Sequence, residues 1–277
     1  MAIQDHPSRR SYPSDLTDAE WALIADLIPT PTWIPNLQEP KHHPREFMNA
    51  IRYRTRTGTA WRLLPHDFPP WSTVFKCYQR WTRDGVLDAI HDTLRRAVRA
   101  AAGREPEPTA AILDSQSVKS TDVGGPGAST REKKVKGRKR HLLVDVLGLI
   151  LVIIITPAST QDRDGAVPVL QEACREYPKL ERIWVDGAYH GSVIDGLREK
   201  TKLAIEVVKR PDELRGFVAL PKRWVVERTN GWLCKSRLLN KEYERTLESS
   251  SADVLHAMTS LMLRRLTTTA DTRRESR

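Results

Sequence analysis

The chain has 277 residues, of which 39% are hydrophobic and 29% charged, and its formal net charge is +10 at neutral pH. That length allows one large domain or two ordinary ones, and the hydrophobic share is low but compatible with a folded core. The basic excess predicts a polyanionic partner such as nucleic acid or an anionic membrane surface, and it is uneven: 15 Lys and Arg stand against 13 Asp and Glu over residues 1–109, and 30 against 22 over residues 110–277.

Residues 1–13 read as a polar arm, and "MAIQDHPSRRSYPSDL" has no apolar segment of the signal-peptide kind. In "SDLTDAEWALIADLIP", Ser14 or Thr17 can cap a helix, Glu20 stands three residues after Thr17, and Trp21, Ile24, Leu27 and Ile28 form one apolar stripe. Pro29, Pro31, Pro35 and Pro40 then mark a loop. "PREFMNAIRYRTRTG" predicts a second helix that Gly58 ends, with Phe47 and Ile51 inward and Arg52, Arg54 and Arg56 around it. Residues 59–101 add a Pro-rich turn and one or two more helices. Helices joined by a turn and studded with arginine suggest a helix-turn-helix reader of DNA, or else a small helical domain with solvated arginines.

"GREPEPT", residues 103–109, is a natural linker, after which the pattern changes. Strands are predicted at 110–118, 138–148 and 149–159, with Gly148 in a hairpin turn. The run "LGLILVIIIT", residues 147–156, is too short for a bilayer, which needs about 20 residues, and rich in β-branched side chains, so it reads as a buried central strand. A helix at 163–177, a strand at 180–189, a helix at 191–201, a strand at 203–210, a long helix at 222–240 and a helix at 251–266 follow, with a disordered tail at 267–277. Three strands followed by alternating helices and strands is the element order of a ribonuclease-H-like mixed sheet. The expected division is therefore a helical DNA-binding domain at 1–105 and a catalytic domain at 110–266. Cys77, Cys174 and Cys234 are odd in number and far apart, which argues against a disulfide framework or a cysteine zinc site and fits a reducing compartment.

Three acids stand out by position. Asp114 lies inside the strand "AAILDSQSVKS", Asp186 ends the strand "IWVDGAY", and Glu227 lies on the helix "RWVVERTNGW". Each has an ordinary explanation: an edge strand for Asp114, a turn before Gly187 for Asp186, an ion pair with Arg223 for Glu227. In a sheet of the proposed order, however, the first and fourth strands are neighbours and the late helix packs across their ends. Three converging carboxylates cannot all stay ionised without a cation. Oxygen ligands suit Mg²⁺, with Mn²⁺ able to substitute, and two such ions can activate a hydroxyl and stabilise the leaving oxygen of a phosphodiester.

With those residues in view, the chain resembles the DDE transposases of bacterial insertion sequences, in the insertion-sequence-five group of the insertion-sequence-four superfamily, over about residues 12–266. "YPSDLTDAEWALI" and "RTGTAWRLLPHDFPPWSTVFKCYQRW" are similar to the group's N-terminal domain, "AILDSQSVKS" to its first catalytic strand, "KKVKGRKRHLLVDVLGLILVIIITPASTQDRDGA" to the hairpin and helix start that follow, and "VDGAYHG" and "RWVVERTNGWL" to the blocks holding the second Asp and the Glu. The resemblance implies a catalytic and metal-binding triad of Asp114, Asp186 and Glu227, Mg²⁺ as cofactor, and double-stranded DNA as partner, both transposon ends and target. It also implies a homodimer on DNA and a cytoplasmic, nucleoid-associated location. In the superfamily's last block Arg223 and Glu227 match, whereas Leu220 stands at the Tyr position and Cys234 at the Lys position, with Lys235 next to it.

The run "REKKVKGRKRH" holds seven basic residues and one acid in residues 131–140. It leads from the loop after Asp114 into the second strand, so Lys133, Lys134, Lys136, Arg138, Lys139 and Arg140 are expected to contact phosphates, with Arg52, Arg54, Arg56, Arg223 and Lys235 as further DNA contacts. Gly231, one turn after Glu227, suggests close approach of the sheet or of DNA. The competing functions are a nuclease of the same fold that cuts without joining, and a DNA-binding repressor derived from such an element.

Overall fold

The computed structural model describes residues 9–29, 42–121, 137–189, 196, 203–208 and 224–275. The chain divides into two units, one formed by residues 1–101, 235–239 and 252–277, the other by 102–234 and 240–251. Among the described residues no helix is long and apolar enough to cross a membrane.

The first unit is helical. Helix α1 (Asp18–Ala22) starts at a reciprocal cap, in which Glu20 N donates to Thr17 Oγ1 and Thr17 N to Glu20 Oε2, each at 3.1 Å. Helix α2 (Pro44–Thr57) begins with Pro44, whose missing N–H costs nothing in a first turn, and ends at Gly58 with φ +74°. Helices α3 (Trp71–Arg83) and α4 (Val86–Ala101) complete the N-terminal part. The core holds Ile24, Phe47, Ile51, Tyr78, Trp81, Ile90 and Leu94. The polar arm is anchored from Arg9 onward, since Arg9 pairs with Asp15 at 2.8 Å and with Glu46 at 2.9 Å.

Helix α2 is almost wholly buried, and this corrects the expectation for its arginines. Arg52 Nε donates to Ser14 O at 2.9 Å and its Nη2 meets Glu20 at 3.3 Å. Arg54 Nη1 lies 3.1 Å from both oxygens of Asp253, which also accepts from Tyr78 Oη at 2.8 Å. A guanidinium can enter a core when acceptors surround it, and these two are so held rather than offered to DNA. Arg56 alone of the three is exposed, and its Nη1 donates to Lys235 O at 2.7 Å.

The second unit is built on a five-stranded sheet of order β3-β2-β1-β4-β5, with β1 Ala110–Lys119, β2 Gly137–Asp145, β3 Ile150–Pro157, β4 Arg182–Val185 and β5 Ala204–Val207. The first three strands are antiparallel, while β4 runs parallel to both β1 and β5. The hairpin turns at Gly148, φ +80°, and Asp145 Oδ1 accepts from Leu147 N and Leu149 N at 2.9 Å each. Helix α5 (Asp162–Glu176) packs on β1, β2 and β3, burying Ala166, Val169, Leu170 and Ala173 against Ala111, Leu113, Leu143 and Ile183. Helix α6 (Trp224–Leu233) packs on β1 and β2 without joining that core.

Several boundaries differ from expectation. The long helix expected at 222–240 stops at Leu233, because the Lys235 carbonyl is committed to Arg56 and a 3-10 turn (Arg237–Asn240) follows. The catalytic domain was expected to end at 266 and a disordered tail to follow; by its contacts the segment 252–277 groups with the helical unit, and helix α7 runs Leu247–Glu275. Asp253 explains the change, since it supplies the acceptor that Arg54 and Tyr78 require. The helix expected at 191–201 lies outside the described residues except for Gly196, as does most of the proline loop at 29–40.

Removing one partner of a buried ion pair strands the other, so Asp253→Ala should cost about 3–5 kcal/mol in unfolding free energy by denaturant titration. His256 is buried near the same arginines; burial, with Arg52 and Arg54, lowers its pKa from 6.5 to about 3. The unfolded chain therefore takes up this proton first on acidification. The contribution is intact above about 6.5 and is lost as pH falls toward 3. His256→Gln should flatten the slope of stability against pH in that window, measured by urea titrations at stepped pH.

Candidate active site

Asp114 sits inside β1, paired with Leu142 of β2 and two residues beyond the last β1–β4 pair, and it is half-buried. The parallel register pairs Ala111 with Ile183 and Ile112 with Trp184. Continued by two residues, it sets Asp114 level with Asp186, which follows the end of β4. Adjacent strands lie about 4.8 Å apart and side chains level across a parallel pair share a face. Both acids therefore fall just beyond the β1–β4 pairing. Asp186 also shapes a turn: Ala188 N donates to its Oδ1 at 2.8 Å and Tyr189 N to its carbonyl at 3.2 Å.

That turn delivers Tyr189 into the interior, where its hydroxyl is buried beside Ser115 without a hydrogen bond of ordinary geometry. Burial, and then the charge of Asp114, push the phenol's pKa up, with further contributions from Asp162 and Asp186. Three carboxylates therefore lie within electrostatic reach of one hydroxyl. Asp162, at the start of α5, accepts from Ser115 Oγ at 2.5 Å and from Lys139 Nζ at 2.9 Å. Partial burial pushes the Asp162 carboxyl up, but those two hydrogen bonds and the Lys139 charge outweigh it and hold the group below its usual range. Behind them, burial and the Lys139 charge lower His141 to about 4, so it stays neutral at pH 7. A Cβ on Gly165 would fall 2.1 Å from the His141 ring, so only glycine lets α5 approach β2 this closely.

Glu227 is carried by α6, and α6 is clamped to the β2–β3 turn. Thr229 Oγ1 donates to Gly148 O at 2.8 Å, and Arg228 Nη2 donates to Leu147 O at 3.1 Å. The Arg228 guanidinium lies 4.7 Å from the ring centres of both Trp224 and Trp232. A Cβ on Gly148 would strike Thr229 Oγ1 at 2.7 Å and Trp232 at 2.9 Å. Gly231, expected to permit close approach of the sheet, faces open space instead. The tight glycine is the one across the contact, on the turn.

Among the described residues no three His, Cys, Asp or Glu side chains are drawn together closely enough to hold a metal ion. Asp114 and Asp186 offer carboxylate oxygens of the kind a divalent cation takes, and the buried Tyr189 hydroxyl lies within electrostatic reach of both. The basic run behaves otherwise than expected. Arg138 donates to Arg245 O at 2.8 Å and to Glu242 at 3.3 Å, and Arg140 lies 3.8 Å from Glu242. Both arginines are buried, and Lys139 is spent on Asp162 and Thr160 O. These three brace the fold rather than reach phosphates. Lys133, Lys134, Lys136 and Arg223 lie outside the described residues, and Lys235 is exposed.

Sequence comparison finds a family match in each part of the chain. Residues 16–91 match the family described as transposase of IS4/5 family, and residues 105–263 match the transposase DDE domain. An uncharacterized protein of Sinorhizobium fredii (strain NBRC 101917 / NGR234), y4sN, is 32% identical over 81 residues, covering 29% of this chain and 63% of that relative.

Thr229→Val keeps the side chain's shape and removes the donor to Gly148. It should lower unfolding free energy by about 1 kcal/mol. An unchanged denaturation midpoint would show that α6 does not depend on this bond.

Proposed function

Because this chain belongs to the DDE-domain transposase family, we propose that it binds the terminal inverted repeats of its insertion sequence, cuts the DNA there and joins the freed ends to target DNA. The transposase DDE-domain match over residues 105–263 supports this reading, together with the parallel β1–β4 register beyond which Asp114 and Asp186 fall. Carboxylates gathered at strand ends in a ribonuclease-H-like sheet suit phosphodiester chemistry better than they suit a repressor, which has no use for them.

Asp114, Asp186 and Glu227 would hold two divalent cations, Mg²⁺ or its substitute Mn²⁺. Bound there, the ions supply an activated hydroxyl nucleophile and charge stabilisation for the leaving oxygen. The remaining chemistry belongs to the chain. The Asp186 turn fixes one carboxylate through Ala188 N. Lys139 neutralises Asp162, so that a further negative charge does not repel the DNA backbone. The clamp on the β2–β3 turn sets the helix that bears Glu227. One carboxylate set serves both displacements, first on the element's end and then on the target.

Division of labour follows the two units: DNA recognition by the helical one, chemistry by the sheet. Lys133, Lys134, Lys136, Arg56 and Lys235 remain the basic residues proposed to meet phosphates. The working state is a homodimer on DNA in the bacterial cytoplasm, at the nucleoid.

Asp114→Asn tests the proposal, because it preserves size and removes one negative ligand. On a duplex carrying the sequence that flanks the gene, cleavage and joining should both fall by more than about 100-fold, beyond the loss expected from an outer-shell partner. Binding of the same duplex should persist in a gel shift. Wild-type cleavage that survives a chelator would overturn the metal chemistry. Cleavage without joined product would leave a nuclease, and binding without cleavage a repressor.

A further inference from the structure

Of the arginines of α2 only Arg56 is exposed, so the helical unit must present another surface if it reads base edges. Its described helices differ sharply in what they expose. Helix α2 shows only Arg56. Helix α4 exposes Asp88, Ala89, Thr93 and Arg96, with Asp92 half-exposed between them, a face whose acids would repel phosphates. Helix α1 is a single turn exposing Asp18, Ala19 and Ala22.

Helix α3 is different. Val74, Cys77, Tyr78 and Trp81 bury one side of it. The other side exposes Ser72, Lys76, Gln79 and Arg83, whose steps of four, three and four residues form one continuous stripe. No acid interrupts it. Arg83 meets Asp84 at its end, at 3.1 Å, but that pair is solvent-exposed and releases its arginine at little cost. The 13-residue helix is about 20 Å long. A major groove about 12 Å wide admits such a helix, and hydroxyl, amine, amide and guanidinium are the groups that read its base edges. The helix start carries no side-chain cap, and the Arg62 guanidinium lies 5.3 Å from the ring of Trp71 there. Uncapped backbone N–H groups beside an arginine suit a flanking phosphate.

We propose that α3 is the DNA-reading helix of this unit and that Ser72, Lys76, Gln79 and Arg83 enter the major groove of B-form duplex DNA. Gln79 has the paired donor and acceptor that match an adenine edge, and Lys76 and Arg83 have the donors that match guanine. This rests on the proposed reading of the chain as a DNA-handling protein, and names the surface by which it would select a sequence.

The test uses the full chain in chelator, so that binding is separated from cleavage. Wild type and the variants Lys76→Ala, Gln79→Ala, Arg83→Ala and Arg96→Ala are each used to select from duplexes with a random core of about 20 base pairs, two helical turns. Arg96→Ala removes a positive charge from the same unit outside the stripe. The wild type and Arg96→Ala should enrich one shared motif. Each stripe variant should lose about 5- to 150-fold of preference at one or two positions of it. Gln79→Ala should bind unselected duplex as wild type does, and every variant should melt as wild type does by circular dichroism. Stripe variants that enrich the wild-type motif with undiminished affinity overturn the assignment, while DNA binding itself stands. A wild-type chain that binds duplex without enriching any motif also overturns it. A wild-type chain that binds no duplex at all overturns the DNA-handling reading and this inference together.

Discussion

Strand β1 is hydrogen-bonded along both edges, antiparallel to β2 and parallel to β4. Everything about the site depends on this double pairing. It brings the end of β4, and with it Asp186, alongside. It also splits the strand's residues between two faces: Ala111 and Leu113 go to the core under α5, while Asp114 has the parity of Ile112 and faces away from that core. Ser115 then returns to the α5 side, where it meets Asp162. One extended segment thus anchors the scaffold with alternate side chains and carries chemistry on the others.

Part of the chain's basic composition is structural. Arg45, Arg52, Arg54, Arg95, Arg99, Arg138 and Arg140 are all buried. Arg138 illustrates why arginine suits this work, since its planar fork reaches two backbone carbonyls and Glu242 at once. A core that spends guanidinium groups on its own acids and carbonyls has less of its charge left for a polyanion. Net charge therefore overstates how much of the surface is committed to DNA, and the helix that offers the most coherent stripe, α3, carries few cations.

Much of this was legible in the sequence, and for identifiable reasons. The short apolar run rich in β-branched residues announced β3, and Gly148 announced the turn, because each depends on neighbours in the chain. The pairing of the first and fourth strands followed from element order. What escaped were decisions made across long separations. Nothing near Arg54 announces that Asp253, 199 residues away, will receive it. Asp162 went unnoticed in the sequence and Tyr189 only closed a predicted strand, until the fold placed both near Ser115. Within the basic run, Arg138, Lys139 and Arg140 turn out to be held inside the fold, because local charge density does not disclose which way a strand's side chains point.

The helical unit takes its last elements from the far end of the chain, residues 235–239 and 252–277. On the ribosome, α2 and α3 emerge long before Asp253. Until then Arg54 and Tyr78 have no carboxylate between them, and the nascent helices hold an unneutralised guanidinium where the core should close. The unit can mature only after the whole sheet has been synthesised. Nascent chains interrupted before residue 252 therefore carry an unfinished helical unit, and a partly made protein is kept from occupying sites that a finished one would cut.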